Sequence, residues 1–268
     1  IMSNYWAKRS ATTQERLTEK NVRQTQAQLR KYYLSTMERI LGQFQLTYNK
    51  VLSSIEEDRE PTPADLYKLD TYWQLQGQLR DELTKLGNRQ AAIMSKNFMN
   101  EFFVIYNALA LKGETQIFST IDTQLAEQII NQIWCADGKS WSQRIWGNTE
   151  KLQQTLNDNL VHCLITGKKT TELKQILQKD FDVSYRRAEM LVRTEMAHIQ
   201  TEAAKKRYED YGLKEYEILG NDDDSCGNHS VDCHEMDGKK FLYAEMTVGK
   251  NAPPFHPNCK CCIVPVVE

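Results

Sequence analysis

Cys226, Cys233, Cys259, Cys261 and Cys262 crowd the last 43 residues of a 268-residue chain, with His229, His234 and His256 among them. Thiolates and imidazoles drawn from two short loops are the donors that Zn²⁺ takes up in a tetrahedral site. Cys226 and Cys233 precede one expected strand, and His256, Cys259 and Cys261 precede another. The first choice of ligands is therefore Cys226, Cys233, Cys259 and Cys261, with His256 as a substitute or as a partner to a ligand. His229 and His234 could also replace a cysteine. Six residues separate Cys226 from Cys233, more than in a CxxC ribbon. Buried thiols in a tight turn, or a disulfide, remain the competing readings. A catalytic zinc keeps an open position and a base nearby. HExxH is absent, and neither His234-Glu235 nor Pro257-Asn258-Cys259-Lys260-Cys261 has the spacing of a zinc deaminase. The expectation is a structural Zn site, with no catalytic residue assigned.

A second constellation is Arg193-Thr194-Glu195-Met196-Ala197-His198. Glu195, His198 and Glu202 are spaced by three and four, so they share one face of a helix. A carboxylate followed by His at i+3 begins some helical di-metal sites, but these need a second matching helix, and no second copy of the pattern is visible. Arg193, Glu195 and His198 are read as residues that anchor a long helix to a small sheet. Asp222-Asp223-Asp224 reads as a solvated acidic loop. Lys205-Lys206-Arg207 and Arg186-Arg187 could meet phosphates, but Glu189, Glu202, Glu209 and Asp210 dilute them. The chain has no GxGxxG, Walker loop or GxSxG elbow.

The elements that must carry these residues are mostly helical. Apolar residues recur at helical spacing through Leu29, Tyr32, Tyr33, Met37, Ile40, Leu41, Phe44, Tyr48, Val51 and Leu52. Glu60-Pro61-Thr62-Pro63 breaks the pattern and starts a new helix carrying Leu66, Leu69, Tyr72, Trp73, Leu75 and Leu79. Gly87-Asn88 reads as a further break, before Ile93, Met94, Phe98, Phe102, Phe103 and Tyr106. More helix is expected from 117 to 167, punctuated by Ala136-Asp137-Gly138 and closed by Gly167. A short helix over 171–179 follows. Asp182-Val183-Ser184 then reads as the cap of a helix from Tyr185 to Tyr211 that stops at Gly212. Beyond it the period changes. Tyr216 to Leu219, Lys240 to Tyr243 and Ile263 to Val267 read as strands, with an Asp237-Gly238 turn and a loop opened by Pro253-Pro254.

The expected class is α+β: a long helical N-terminal region, then a small module with a short antiparallel sheet and the Cys/His cluster. In chain order the parts are a helical hairpin region over 1–115, a helical middle over 116–212, and the Cys/His module over 213–268, packed on helix 185–211. The long apolar stripes suggest that the first region binds a partner. Net charge is −2, with 34 Lys and Arg against 36 Asp and Glu, so contact with DNA would need a local patch. No apolar run approaches the roughly 20 residues of a membrane helix. The N-terminus turns polar by Ser3, so a secretory leader is not expected.

These residues resemble the phage head morphogenesis family, the Mu F-like minor head proteins of Gram-positive-phage type. The resemblance is carried by Arg193-Thr194-Glu195, Ala203-Ala204, Tyr216, Asp224-Ser225-Cys226, Cys233 through Asp237-Gly238-Lys239, and Pro253-Pro254-Phe255-His256-Pro257-Asn258-Cys259-Lys260-Cys261. Lys260 stands where Arg is commoner. Tyr5-Trp6-Ala7-Lys8-Arg9 and Trp141-Ser142-Gln143-Arg144-Ile145-Trp146 extend the likeness upstream. Asp237, Gly238, Pro254 and Asn258 are the turn residues of this pattern, with a structural role implied. The resemblance implies a non-enzymatic minor capsid protein, present in few copies in the virion and assembled in the host cytoplasm. It further implies association with the portal protein, a part in procapsid assembly and DNA packaging or delivery, and scaffold, major capsid protein and DNA as further partners. Direct DNA binding and a metal-dependent nuclease are the alternatives. Some relatives carry a C-terminal toxin enzyme. With Glu268 following soon after the motif, none is expected here.

Overall fold

A computed structural model of the chain describes residues 2–53, 70–110, 123–166, 170–220 and 233–267. Five helices come first: α1 (Met2–Ser53), α2 (Thr71–Ala108), α3 (Thr123–Ile130), α4 (Trp141–Ile165) and α5 (Thr170–Asp210). Then follow β1 (Glu215–Leu219), the single-turn α6 (Cys233–Met236), β2 (Lys240–Leu242), a 3₁₀ turn (Tyr243–Glu245) and β3 (Cys262–Pro265). The class is α+β, as the sequence indicates. The signals at Glu60–Pro63, Leu66, Leu69, Gly167, Asp222–Asp224, Cys226 and His229 lie outside the described residues.

The chain divides into two compact units, one of Ile1–Gln26, Ile93–Trp141 and Glu189–Glu268, the other of Ala27–Ala92 and Ser142–Ala188. Boundaries near 115 and 212 follow chain order, whereas these units do not. Each of α1, α2 and α5 gives one stretch to each unit.

The unit of Ala27–Ala92 and Ser142–Ala188 is a helical bundle with an apolar seam. Leu29, Tyr33, Met37, Ile40 and Phe44 of α1 are buried with Leu75, Leu79, Leu83 and Leu86 of α2. So are Leu152, Leu156 and Leu160 of α4 and Leu173, Leu177 and Phe181 of α5. A fully buried Leu or Ile contributes roughly 1.5–3 kcal/mol. Leu29, Tyr33, Met37, Ile40 and Phe44 of the α1 stripe are thus taken up by the protein's own core, while Tyr32 is exposed. Two sequence signals are overridden here. Gly87-Asn88 does not break α2, which runs on to Ala108. The glycine serves close packing instead: a Cβ on Gly87 would lie 2.7 Å from the ring of Trp146. Asp182-Val183-Ser184 caps nothing, since α5 runs from Thr170 through this stretch. Ser184 is buried, and its carbonyl and Oγ each accept from Asn148 Nδ2 at 3.0 Å. A side-chain hydroxyl with a tertiary partner loses its preference for a helix end.

In the other unit the same stripe of α1 turns polar. Gln14, Thr18, Asn21 and Thr25, spaced 4, 3 and 4 residues apart, are all buried. Gln14 Nε2 donates to the carbonyl of Ile263 on β3 at 2.9 Å, and its Oε1 accepts from Gln200 Nε2 of α5 at 3.2 Å. Thr25 Oγ1 accepts from Asn97 Nδ2 at 2.8 Å. Thr18 Oγ1 donates to Glu101 Oε1 at 2.5 Å, and Asn21 Nδ2 donates to Glu101 Oε2. Glu101 has no solvent exposure. A buried carboxylate supported by neutral donors prefers to keep its proton.

α5 closes at Gly212, whose φ of +73° suits glycine. Gly212 N–H reaches the Glu209 carbonyl at 2.8 Å and Leu213 N–H reaches that of Tyr208 at 3.1 Å, a helix end of Schellman type. The sheet has the order β2-β1-β3 and is antiparallel throughout. Tyr216 pairs with Phe241 on one side and Pro265 on the other. The second and third expected strands stop short at their C-terminal ends, while β1 and β3 each begin one residue earlier than expected. Tyr243 leaves the sheet to begin the 3₁₀ turn, and Pro265 ends β3 because proline has no N–H for the ladder.

Burial pushes the Glu101 carboxyl up to about 7 against the lowering effect of Thr18 and Asn21. The folded state therefore holds a proton that the unfolded chain, ordinary at 4.5, releases. The group's contribution is intact below pH 4.5 and is lost as pH rises through 7. Glu101→Gln should remove that loss, making the variant more stable than wild type at pH 8 by on the order of 1–3 kcal/mol, with the difference vanishing near pH 4. Urea denaturation at the two pH values measures it.

Candidate metal centre

Cys233 opens α6, where it is buried with 1% exposure. Ahead of it, the Asp237-Gly238 turn returns the chain to the sheet. Gly238 has φ +74° and its N–H meets the Ile218 carbonyl at 2.8 Å. Asp237 Oδ1 accepts from Gly220 N–H at 2.7 Å, closing off the end of β1. The second loop runs from the 3₁₀ turn to β3. Asn251 braces it, accepting Thr247 N–H at 2.6 Å and donating to the Glu245 carbonyl at 3.0 Å. Tyr216 Oη donates to the Asn251 carbonyl at 2.9 Å. The Pro253–Pro254 bond is cis and Pro254 is buried. A tight turn follows, in which Cys259 N–H meets the His256 carbonyl at 3.2 Å and Asn258 adopts φ +64°, a conformation Asn tolerates. Asn258 N–H donates to Thr194 Oγ1 of α5 at 3.2 Å, so the turn is pinned to the helix.

The two loops bring three sulfurs together. Those of Cys233, Cys259 and Cys261 lie within 4.8 Å of one another, and all three residues are buried. The Cys233 and Cys259 sulfurs are 3.9 Å apart, far beyond the roughly 2.05 Å of a disulfide. His256 Nε2 meets the cluster at its Cys233 edge, 3.1 Å from that sulfur, and Nδ1 lies 2.8 Å from the Pro257 carbonyl. Hydrogen bonding among the three thiols holds Cys259 below its usual value and pushes Cys233 up. Cys262 stands apart. It is the first residue of β3, and burial pushes its thiol up to about 12.

Of the predicted ligands, then, the sulfurs of Cys233, Cys259 and Cys261 meet, and His256 Nε2 contacts that of Cys233. Cys226 lies outside the described residues, and His234 is exposed and outside the cluster.

Arg193, Glu195 and His198 lie on α5 and make three different contacts. Arg193 forms a two-pronged ion pair with Glu19 of α1, whose carboxyl it holds below the ordinary range. Glu195 Oε2 accepts from the indole N–H of Trp134 at 2.9 Å. That indole lies flat on the His198 ring, with centroids 4.8 Å apart and planes 19° off parallel. Burial pushes His198 down to about 3, so the ring stays neutral. The sequence pattern did not reveal Glu19 or Trp134. Glu19 looks like any charge on a long polar helix, and Trp134 sits in an irregular segment with no period to read.

Residues 154–264 match the family described as Phage Mu protein F like protein. This stretch of long helix, small sheet and Cys/His turn is similar to that family over about two-fifths of the chain. The family is the one the sequence motifs resemble. A relative, the NAD(+)--arginine ADP-ribosyltransferase EFV of Enterococcus faecalis, is 26% identical over 142 residues, covering 49% of this chain and 29% of that protein. The chain thus spans less than a third of that relative's length. No solved structure matches.

Trp134→Phe keeps a ring over His198 and deletes the donor to Glu195. It should cost about 1–2 kcal/mol, read by denaturant unfolding, as expected when a buried acceptor loses its donor. Trp134→Ala should cost more, by exposing His198.

Proposed function

We propose that this protein is a non-enzymatic minor head protein that acts in procapsid assembly and DNA packaging or delivery near the portal, and that it resides in the virion. The observation that carries the reading is the family match over residues 154–264, which takes in α5, the whole sheet and the Cys/His turn. The chemistry of the turn agrees. The three thiols of the cluster are buried and both nitrogens of His256 are engaged, which suits a structural role better than a hydrolytic base. No described helix is long and apolar enough to cross a membrane. ADP-ribosyl transfer is not proposed for this chain, which covers only 29% of the Enterococcus faecalis transferase.

The portal protein is the proposed partner, with scaffold and major capsid protein as further candidates. The seam of α1 is spent inside the bundle, so contact must use side chains left outside it. Leu34, Leu46 and Trp73 are exposed at 46%, 66% and 61%. Full-length protein should co-purify with the portal protein of its own phage, and a Leu34→Glu, Leu46→Glu, Trp73→Glu triple variant should lose at least tenfold in recovery while keeping its helical circular dichroism. Undiminished recovery would refute this surface.

A second reading, direct contact with DNA, has one specific support. Lys8, Arg9, Thr12, Thr13 and Arg16 line a shallow cationic depression along the first turns of α1 beside Tyr5. A phosphate contact of that kind weakens steeply with salt. Binding of a DNA duplex at 50 mM salt that falls at least tenfold by 200 mM, and that fails in Arg9→Glu/Arg16→Glu, would support it, and no binding at low salt would remove it.

A further inference from the structure

We propose that the thiolates of Cys233, Cys259 and Cys261 hold one thiophilic divalent ion, zinc, and that this ion fastens together the loops leading into the two edge strands of the sheet. The sulfurs of the three residues lie within 4.8 Å of one another. A triangle of that size has its centre at most about 2.8 Å from each corner, and Zn–S bonds are about 2.3 Å long, so shifts of roughly half an ångström bring all three sulfurs onto one ion. Cys233 and Cys259 already stand 3.9 Å apart, against roughly 3.8 Å between two sulfurs of a tetrahedral zinc.

The number of thiols separates an ion from the other fates of buried cysteine. A disulfide joins two sulfurs and strands the third, and at 3.9 Å the Cys233–Cys259 pair is far from the roughly 2.05 Å of a bond. A cysteine packed as a small apolar side chain has no reason to seek other cysteines. Cys262 is such a residue: it is buried and next in sequence to Cys261, yet its sulfur is not in the group. Among the described residues the group holds no carboxylate. Calcium and magnesium take oxygen ligands, whereas soft thiolates select zinc and ions like it.

The topology gives the ion its work. In the order β2-β1-β3 the edge strands pair with β1 and never with each other. Cys233 opens α6, which leads into β2, and Cys259 and Cys261 stand just before β3. An ion held by all three therefore ties the two edges through their entry loops, independently of the ladder. On binding, each of the three thiols releases its proton to solvent and gives the ion a sulfur lone pair, with no oxidation or reduction. Donors that converge only in the folded chain couple loss of the ion to opening of the strands they hold. None of this depends on the likeness to phage head proteins.

The test uses the full chain, purified under reducing conditions and loaded with zinc. Elemental analysis should find one zinc per chain, and X-ray absorption at the zinc edge should count at least three sulfurs at about 2.3 Å. Cys233→Ser, Cys259→Ser and Cys261→Ser should each weaken zinc binding at least tenfold in competition with a chromogenic chelator, and Cys262→Ser should leave it unchanged. Should a serine variant fail to fold, the sulfur count of the wild-type chain still decides. Stripping the zinc should speed amide hydrogen exchange at least tenfold in β2 and β3 and leave α4 as it was. Absence of stoichiometric zinc, fewer than three sulfurs, wild-type affinity in any of the three variants, or unchanged exchange in both edge strands would each overturn the proposal.

Discussion

Burial of three cysteine sulfurs in one spot is the constraint on which the C-terminal module depends. Its strands are five, three and four residues long, too short to hold a sheet by their own ladders. Between β2 and β3 the chain spends most of its length in turns. Those turns are fastened at a few points: Tyr216 to the Asn251 backbone, Asn251 to both sides of its own loop, Asn258 to Thr194. The cysteines are the one place where α6, on one side of β2, and the turn before β3, on the other, meet directly. Polar sulfurs packed together gain little from burial alone, so their convergence is unlike the rest of this core, where Ile218, Ile263 and Val264 exclude water.

The second organising feature is the change in chemistry along α1. Its buried stripe is mostly polar from Gln14 to Thr25, where Val22 is the apolar member, and mostly apolar from Leu29 to Phe44, where Thr36 is the polar one. Apolar packing is non-directional and tolerates small slips, whereas hydrogen bonds fix one register. Gln14 reads the register of β3 through the Ile263 carbonyl and that of α5 through Gln200 at the same time. Glu101 does so for α1 and α2, at the cost of a buried carboxyl that is easier to keep protonated than charged. In this unit the long helix is therefore an alignment element for the sheet as much as a source of core.

These two features together explain why so small a sheet can still be single-valued. The hydrophobic area of a three-strand sheet leaves several registers close in energy. Directional contacts from α1 and α5 on one side, and the sulfur and imidazole cluster on the other, separate them. The Trp134 indole, holding Glu195 by its N–H and His198 by its face, adds a third directional contact from an irregular segment.

Much of this was legible in the residue order. Helical periodicity, the stop at Gly212, the Asp237-Gly238 turn and the crowding of cysteines and His256 each have a local cause, because spacing and backbone preference act within a few residues. Other features needed the folded chain. Gly87 looked like a helix breaker until Trp146 was found against it, and Ser184 looked like a cap until Asn148 was found beneath it. Glu19 became a partner only once Arg193 lay beside it, across 174 positions of sequence. Local order decided which elements form, and three-dimensional packing decided which distant side chains became neighbours, because such contacts depend on how the helices and strands pack and not on their separation along the chain.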